Sequence, residues 1–141
     1  MKRKVFAAVG LLLAILVAGG ALLVRRTMNR GFQINTAARM KALCQLIEQD
    51  TKSMTASEAA SRARQIIASR YEARDAWQQP LVFMALEDGQ RLSYILVSLG
   101  SDGKADRPLQ DYFSYPKRDI RGYPQSDIVF RDGDWITNAF K

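Results

Sequence analysis

The sequence predicts an α+β fold: a long N-terminal helix, a second helix, and a small antiparallel sheet with a long loop. Three observations predict it. Apolar residues recur at helical intervals through the first half of the chain. A helix-start signature at Thr55 opens a second periodic segment. Beyond Pro80, short runs of β-branched and aromatic residues are separated by turn residues.

The first helix begins in an uncharged run. Val5 to Val24 holds no charged or strongly polar side chain. At about 1.5 Å rise per residue, such a run reaches about 30 Å, the thickness of a bilayer hydrocarbon core. The expected division is a membrane anchor over 1–26 and an exported domain over 27–141. Lys2, Arg3 and Lys4 precede the run, and Arg25 and Arg26 follow it. Two processing states fit this pattern. An uncleaved signal anchor is favoured by the length of the run. A cleavable signal peptide would use the small residues Ala18-Gly19-Gly20-Ala21. The expected placement is a single pass through the inner membrane, with the C-terminal domain periplasmic.

Phe32, Met40, Leu43, Cys44 and Ile47 continue the helical period to about Asp50, with Thr36 as a polar interruption. A break follows at Thr51 to Thr55. Thr55-Ala56-Ser57-Glu58 is a capping-box pattern, in which threonine accepts from a free backbone N–H and glutamate reaches back. Ala59, Ala63, Ile66, Ile67 and Tyr71 then line one face of the second helix. Asp75 to Pro80 is a turn, whose Trp77 is expected to plug the seam between helix and sheet. Leu81 to Leu86 reads as a strand, Glu87 to Gln90 as a hairpin turn, and Arg91 to Leu99 as the partner strand. Ile128 to Arg131 and Trp135 to Thr137 flank Asp132-Gly133-Asp134, a second hairpin.

Several function classes are disfavoured by composition. The net charge is +7, but five of the 21 basic residues flank the apolar run, and the other 16 face 14 acids. Nucleic-acid surfaces need a clustered excess, so no nucleic-acid partner is expected. The chain has no histidine, which removes His-dependent triads and His metal sites. It lacks a phosphate-binding glycine pattern, and no enzymatic activity is expected. One cysteine, Cys44, forbids an intrachain disulfide, and its helical spacing reads as a small core hydrophobe.

Gly100 to Ser126 reads as one uninterrupted loop, which is uncommon in a compact domain. Seven of the ten aspartates fall between Asp102 and Asp134. Short carboxylates on turns suit a hard cation such as calcium. They are also ordinary turn residues. Lys104, Arg107, Lys117, Arg118 and Arg121 offer a third account, in which loop cations pair with loop acids. Tyr112, Phe113, Tyr115 and Tyr123 in the same segment are expected to tuck the loop onto the sheet, with a protein contact as the second option.

Three segments occur in a telling order. Asp75-Ala76-Trp77-Gln78-Gln79-Pro80 precedes the first strand, Ser98-Leu99-Gly100-Ser101-Asp102-Gly103 follows the second, and Asp127-Ile128 opens the next. Over roughly residues 70 to 135 the chain resembles the C-terminal domain of the major pseudopilin of type II secretion, within the type IV pilin-like superfamily. Gln78 stands where that family has glycine, and the loop before Asp127 is longer. The resemblance implies a structural subunit for protein transport, with other pseudopilin-like or secretion proteins, the membrane and further copies of itself as partners. It implies a calcium site held by the Leu99 carbonyl, Asp102 and Asp127. A pilin leader would place Gly-Phe before the apolar segment, with a glutamate five residues into the mature chain. Here Gly31-Phe32 follows that segment and no acid lies within it, so Met1 to Asn29 is expected to stay attached. The competing function is a signal-anchored periplasmic binding module, recognising a protein or envelope polymer through the 100–126 loop.

Overall fold

A computed structural model describes the backbone of residues 2–70, 73–86, 92–114, 120–121 and 127–138, and the side-chain surroundings of 14–70, 73–86, 92–114, 127–134 and 136. Helix α1 runs Lys2–Thr51 and α2 Ala56–Ser69. Strands β1 (Val82–Leu86), β2 (Ser93–Ser98), β4 (Ile128–Arg131) and β5 (Asp134–Trp135) form an antiparallel sheet in the order β1-β2-β4-β5. Strands β3 (Ile120–Arg121) and β6 (Thr137–Asn138) make a short parallel pair. This is the expected α+β class. The chain divides into two units, Met1–Gly31 and Phe32–Lys141.

In the first unit the apolar side chains Ile15, Leu16, Val17, Leu22, Leu23 and Val24 are 60–68% exposed. Among the described residues no helix is long and apolar enough to cross a membrane. The apolar run of the sequence begins at Val5, upstream of the side chains whose surroundings are described.

In the second unit, α1 buries Gln33, Thr36, Ala37, Met40, Leu43, Cys44, Ile47 and Thr51, a stripe with three- and four-residue spacing. The polar Thr36 is satisfied within that stripe, because its hydroxyl accepts the Ala76 N–H at 2.9 Å. The helix stops at Thr51, and the expected capping box starts the next. The Glu58 N–H donates to Thr55 Oγ1 at 3.5 Å, and the Thr55 N–H donates to Glu58 Oε2 at 3.1 Å. Helix α2 turns Ala56, Ala59, Ala60, Ala63 and Ile66 inward. Tyr71 lies outside the described residues, as do the Glu87–Gln90 turn and Tyr115, Lys117, Arg118 and Tyr123.

Strand β2 decides how the unit is layered. Tyr94 and Leu96 join Met40, Leu43, Cys44, Ile47, Ala63 and Phe130 in one core cluster. Ile95 and Val97 point the other way, into a second cluster with Tyr112, Val129 and Ile136. A strand buried on both faces reads as a continuous apolar run, as Tyr94-Ile95-Leu96-Val97 does. Each fully buried aliphatic side chain of this kind contributes about 1.5–3 kcal/mol. The helices cover one face of the sheet, and the chain after β2 supplies Tyr112 to the other.

That second face corrects two expectations. The segment after Leu99 is not an uninterrupted loop: it holds 3-10 turns at Gly100–Asp102 and Leu109–Phe113, and then β3. The strand expected at Trp135 to Thr137 is split between β5 and β6, because Ile136 turns into the second cluster between them.

The turn at Asp75 to Pro80 is organised by one buried carboxylate. Asp75 Oδ1 accepts the N–H groups of Trp77 at 3.0 Å and Gln79 at 2.8 Å, and Oδ2 accepts the Ser98 hydroxyl at 2.7 Å. Trp77 packs on the helix–sheet cluster, as expected, and meets Phe32 edge-on at 5.9 Å.

Candidate functional site

The candidate site is the ligature between the loop after β2 and the start of β4. Leu99 packs on the second cluster and leads into Gly100, whose φ is +65°, a conformation that glycine adopts without cost. Asp102 Oδ1 accepts the Lys104 N–H at 3.1 Å, folding Asp102–Lys104 into a local turn. Gly103, again at φ +65°, completes it. The Leu109–Phe113 turn then lowers Tyr112 onto Val97 and Val129, leaving it 1% exposed. Arg131 holds that turn from β4, donating through Nη1 to the carbonyls of Tyr112 and Phe113.

Asp127, only 2% exposed, is where these pieces meet. Its Oδ2 accepts the Tyr112 hydroxyl at 2.5 Å and the Asp106 N–H at 3.0 Å. Its own N–H donates to Asp106 Oδ2 at 2.9 Å. Asp106 and Asp127 thus clasp each other reciprocally, and Tyr112 bolts the clasp to the second core. Asp127 Oδ1 is buried with no hydrogen-bond partner among the described residues. A buried acceptor left bare costs about 1–3 kcal/mol, more when charged, so this atom calls for an explanation.

The electrostatics follow from the same geometry. Burial pushes the Asp127 carboxyl above its ordinary value. The Tyr112 hydroxyl and the Asp106 N–H oppose that, while the charges of Asp106 and Asp102 add to it. Burial, and then the bond to Asp127, push the Tyr112 hydroxyl up as well. The Arg107 guanidinium lies 5.6 Å from the centre of the Tyr112 ring.

The sequence-derived residues therefore fare differently. Asp127 is the buried centre. Asp102 is exposed but close enough for its charge to act on Asp127. Leu99 contributes packing before the turn. Among the described residues no group of three acidic or thiol side chains is arranged to hold a metal ion. Any cation here would draw on main-chain carbonyls and water beside one or two carboxylates, a mixture calcium accepts. Sequence reasoning missed Asp106 and the Tyr112 hydroxyl. The pairing of Asp106 with Asp127 spans 21 positions and leaves no periodic trace. Tyr112 looks like any packing aromatic until its hydroxyl has a partner.

Cys44 carries no chemistry of its own: it is buried, and burial pushes its thiol up to about 12. No family model, curated protein or solved structure matches the chain.

Proposed function

We propose that this protein is a membrane-anchored structural subunit of the pseudopilin kind, working in a secretion or surface assembly with its α+β domain exported. The observation that carries this reading is the division of labour along α1. Ile15 to Val24 expose a band of large apolar side chains, while Gln33 to Thr51 bury a regular stripe against the sheet. An apolar band on one part of a helix suits lipid or neighbouring helices, and the amphipathic part ties it to a domain. The apolar run from Val5 and its basic flanks support the membrane as the first partner.

On this reading the loop holds calcium. The bare, buried Oδ1 of Asp127 fits a cation, since a cation would satisfy the one buried side-chain acceptor left without a partner among the described residues. Asp102 is the second carboxylate and Leu99 the main-chain oxygen, as the resemblance implies. The ion would offset the charge of the buried Asp127 carboxylate and of the exposed Asp102 near it, and tie the loop to β4.

The test uses the full chain in its own membranes. It fractionates with the inner membrane and resists carbonate extraction, and Leu16→Arg with Leu23→Arg releases it. Cys44 is buried and unreactive, so Leu16→Cys introduces a single accessible thiol. Cross-linking it yields covalent dimers, the largest product that one accessible thiol per chain can form. A membrane-bound chain that cross-links only as a monomer would remove the assembly reading and leave the anchor. Full-length chain in the soluble fraction would remove both.

A further inference from the structure

We infer that Tyr112 is a positioning residue for the cation: its hydroxyl, with the Asp106 N–H, holds Asp127 Oδ2 so that Oδ1 is the oxygen left for the ion. The inference rests on the calcium reading above and assigns to it a part that no motif in the sequence marks.

The two oxygens of this one carboxylate are used differently. Oδ2 takes two donors, the Tyr112 hydroxyl at 2.5 Å and the Asp106 N–H at 3.0 Å. Oδ1, on the same carbon and buried, takes none. A carboxylate free to rotate about its Cβ–Cγ bond would share its donors between both oxygens. This one is pinned, because Tyr112 cannot follow a rotation: its ring is 1% exposed and wedged among Ile95, Val97, Val129 and Ile136. Arg131 fixes the backbone just after the ring by binding the Tyr112 and Phe113 carbonyls. The donors on Oδ2 do not compete with a cation on Oδ1. A carboxylate can accept a hydrogen bond on one oxygen and ligate through the other, and such outer partners orient ligating carboxylates in metal sites. Asp106 has a double role, since its N–H steadies Oδ2 while its own carboxylate takes the Asp127 N–H at 2.9 Å. The rigid second core is thereby linked to the aim of one oxygen atom.

Removing such an outer partner costs about 10- to 100-fold in metal affinity. The experiment measures calcium binding by titration calorimetry on the detergent-solubilised full chain. The set is wild type, Tyr112→Phe, Asp127→Asn and, as a control, Asp111→Asn, an exposed acid on the same turn. Tyr112→Phe keeps the ring and its packing and removes only the hydroxyl. The expected result is a calcium Kd raised about 10- to 100-fold in Tyr112→Phe, no binding in Asp127→Asn, and an unchanged Kd in Asp111→Asn. Melting in EDTA shows whether Tyr112→Phe still unfolds cooperatively. Should it not fold, the wild type decides by itself: its buried Tyr112 hydroxyl proton, followed by NMR, shifts on addition of calcium, and an unmoved signal overturns the inference. A folded Tyr112→Phe chain that binds calcium with the wild-type Kd overturns the inference and leaves the calcium reading standing. A wild-type chain that binds no calcium ends both.

Discussion

At the scale of single residues, two carboxylates show how one side-chain type does opposite jobs. Asp75 is buried with both oxygens occupied by three donors, and it fixes a turn. Asp127 is also buried, with one oxygen left without a hydrogen-bond partner among the described residues. The turn that Asp75 fixes holds a residue that works against it. Gln78 has φ +66°, a left-handed conformation that costs a side-chain-bearing residue about 1–2 kcal/mol. Its N–H still closes the turn onto the Asp75 carbonyl at 3.1 Å, so the conformation is required. Gln78→Gly relieves the strain but enlarges the unfolded ensemble, for a net gain of about 0.5–1 kcal/mol. Denaturant unfolding of the two chains measures it, and a lower midpoint for the glycine variant would count against a strained turn.

At the scale of elements, the β4–β5 hairpin is specified twice. Asp132 and Gly133 both have positive φ, at +50° and +78°, as a two-residue type I′ turn demands. Asp132 also stitches the turn to β2, accepting the Tyr94 N–H at 2.8 Å and returning its own N–H to the Tyr94 carbonyl at 3.1 Å. Gly133 is constrained from outside as well, since a Cβ there would lie 2.1 Å from Glu48 Oε1 on α1. The backbone and the steric demand can be separated. Gly133→Ala costs about 1–2 kcal/mol in left-handed strain, with the displacement of the Glu48 carboxylate added to it, and Glu48→Ala in the same chain recovers only that added steric part. A double-mutant cycle read from urea midpoints checks this. A pair of strictly additive effects would mean that Glu48 swings aside without cost.

At the scale of the larger unit, Phe32–Lys141, the sheet is a central layer with a core on each face, and Cys44 reports on one of them. It lies among Met40, Leu43, Ile47, Leu96 and Phe130. Burial pushes its thiol up to about 12, so almost none is thiolate at neutral pH, and no reagent reaches it while α1 stays on the sheet. Reaction with a thiol reagent at neutral pH therefore proceeds only through opening of the helix–sheet interface. Its rate in native buffer should be far below that of a free thiol, and denaturant should accelerate it in step with global unfolding. Rapid labelling of the native chain would show that this interface opens locally.

How much of this was legible in the sequence divides by the range of the interaction. The course of α1, the Thr55–Glu58 box and the strands β1, β2 and β4 were legible, because periodicity, capping and turn chemistry act over a few neighbouring residues. The Asp75 turn and the Asp132-Gly133 turn belong to the same class. The double-sided burial of β2 was half legible, as a continuous apolar run without its partner. The sequence by itself thus determined the α+β class, the order of its helices and the strands that build the main sheet. Only the tertiary structure decided what covers the second face, which oxygen of Asp127 stays bare, and that Asp106 and Tyr112 hold the other. Those depend on contacts spanning 15 and 21 positions, which obey no period. They arise because Ile95 and Val97 must be buried, and the chain after β2 folds back to cover them.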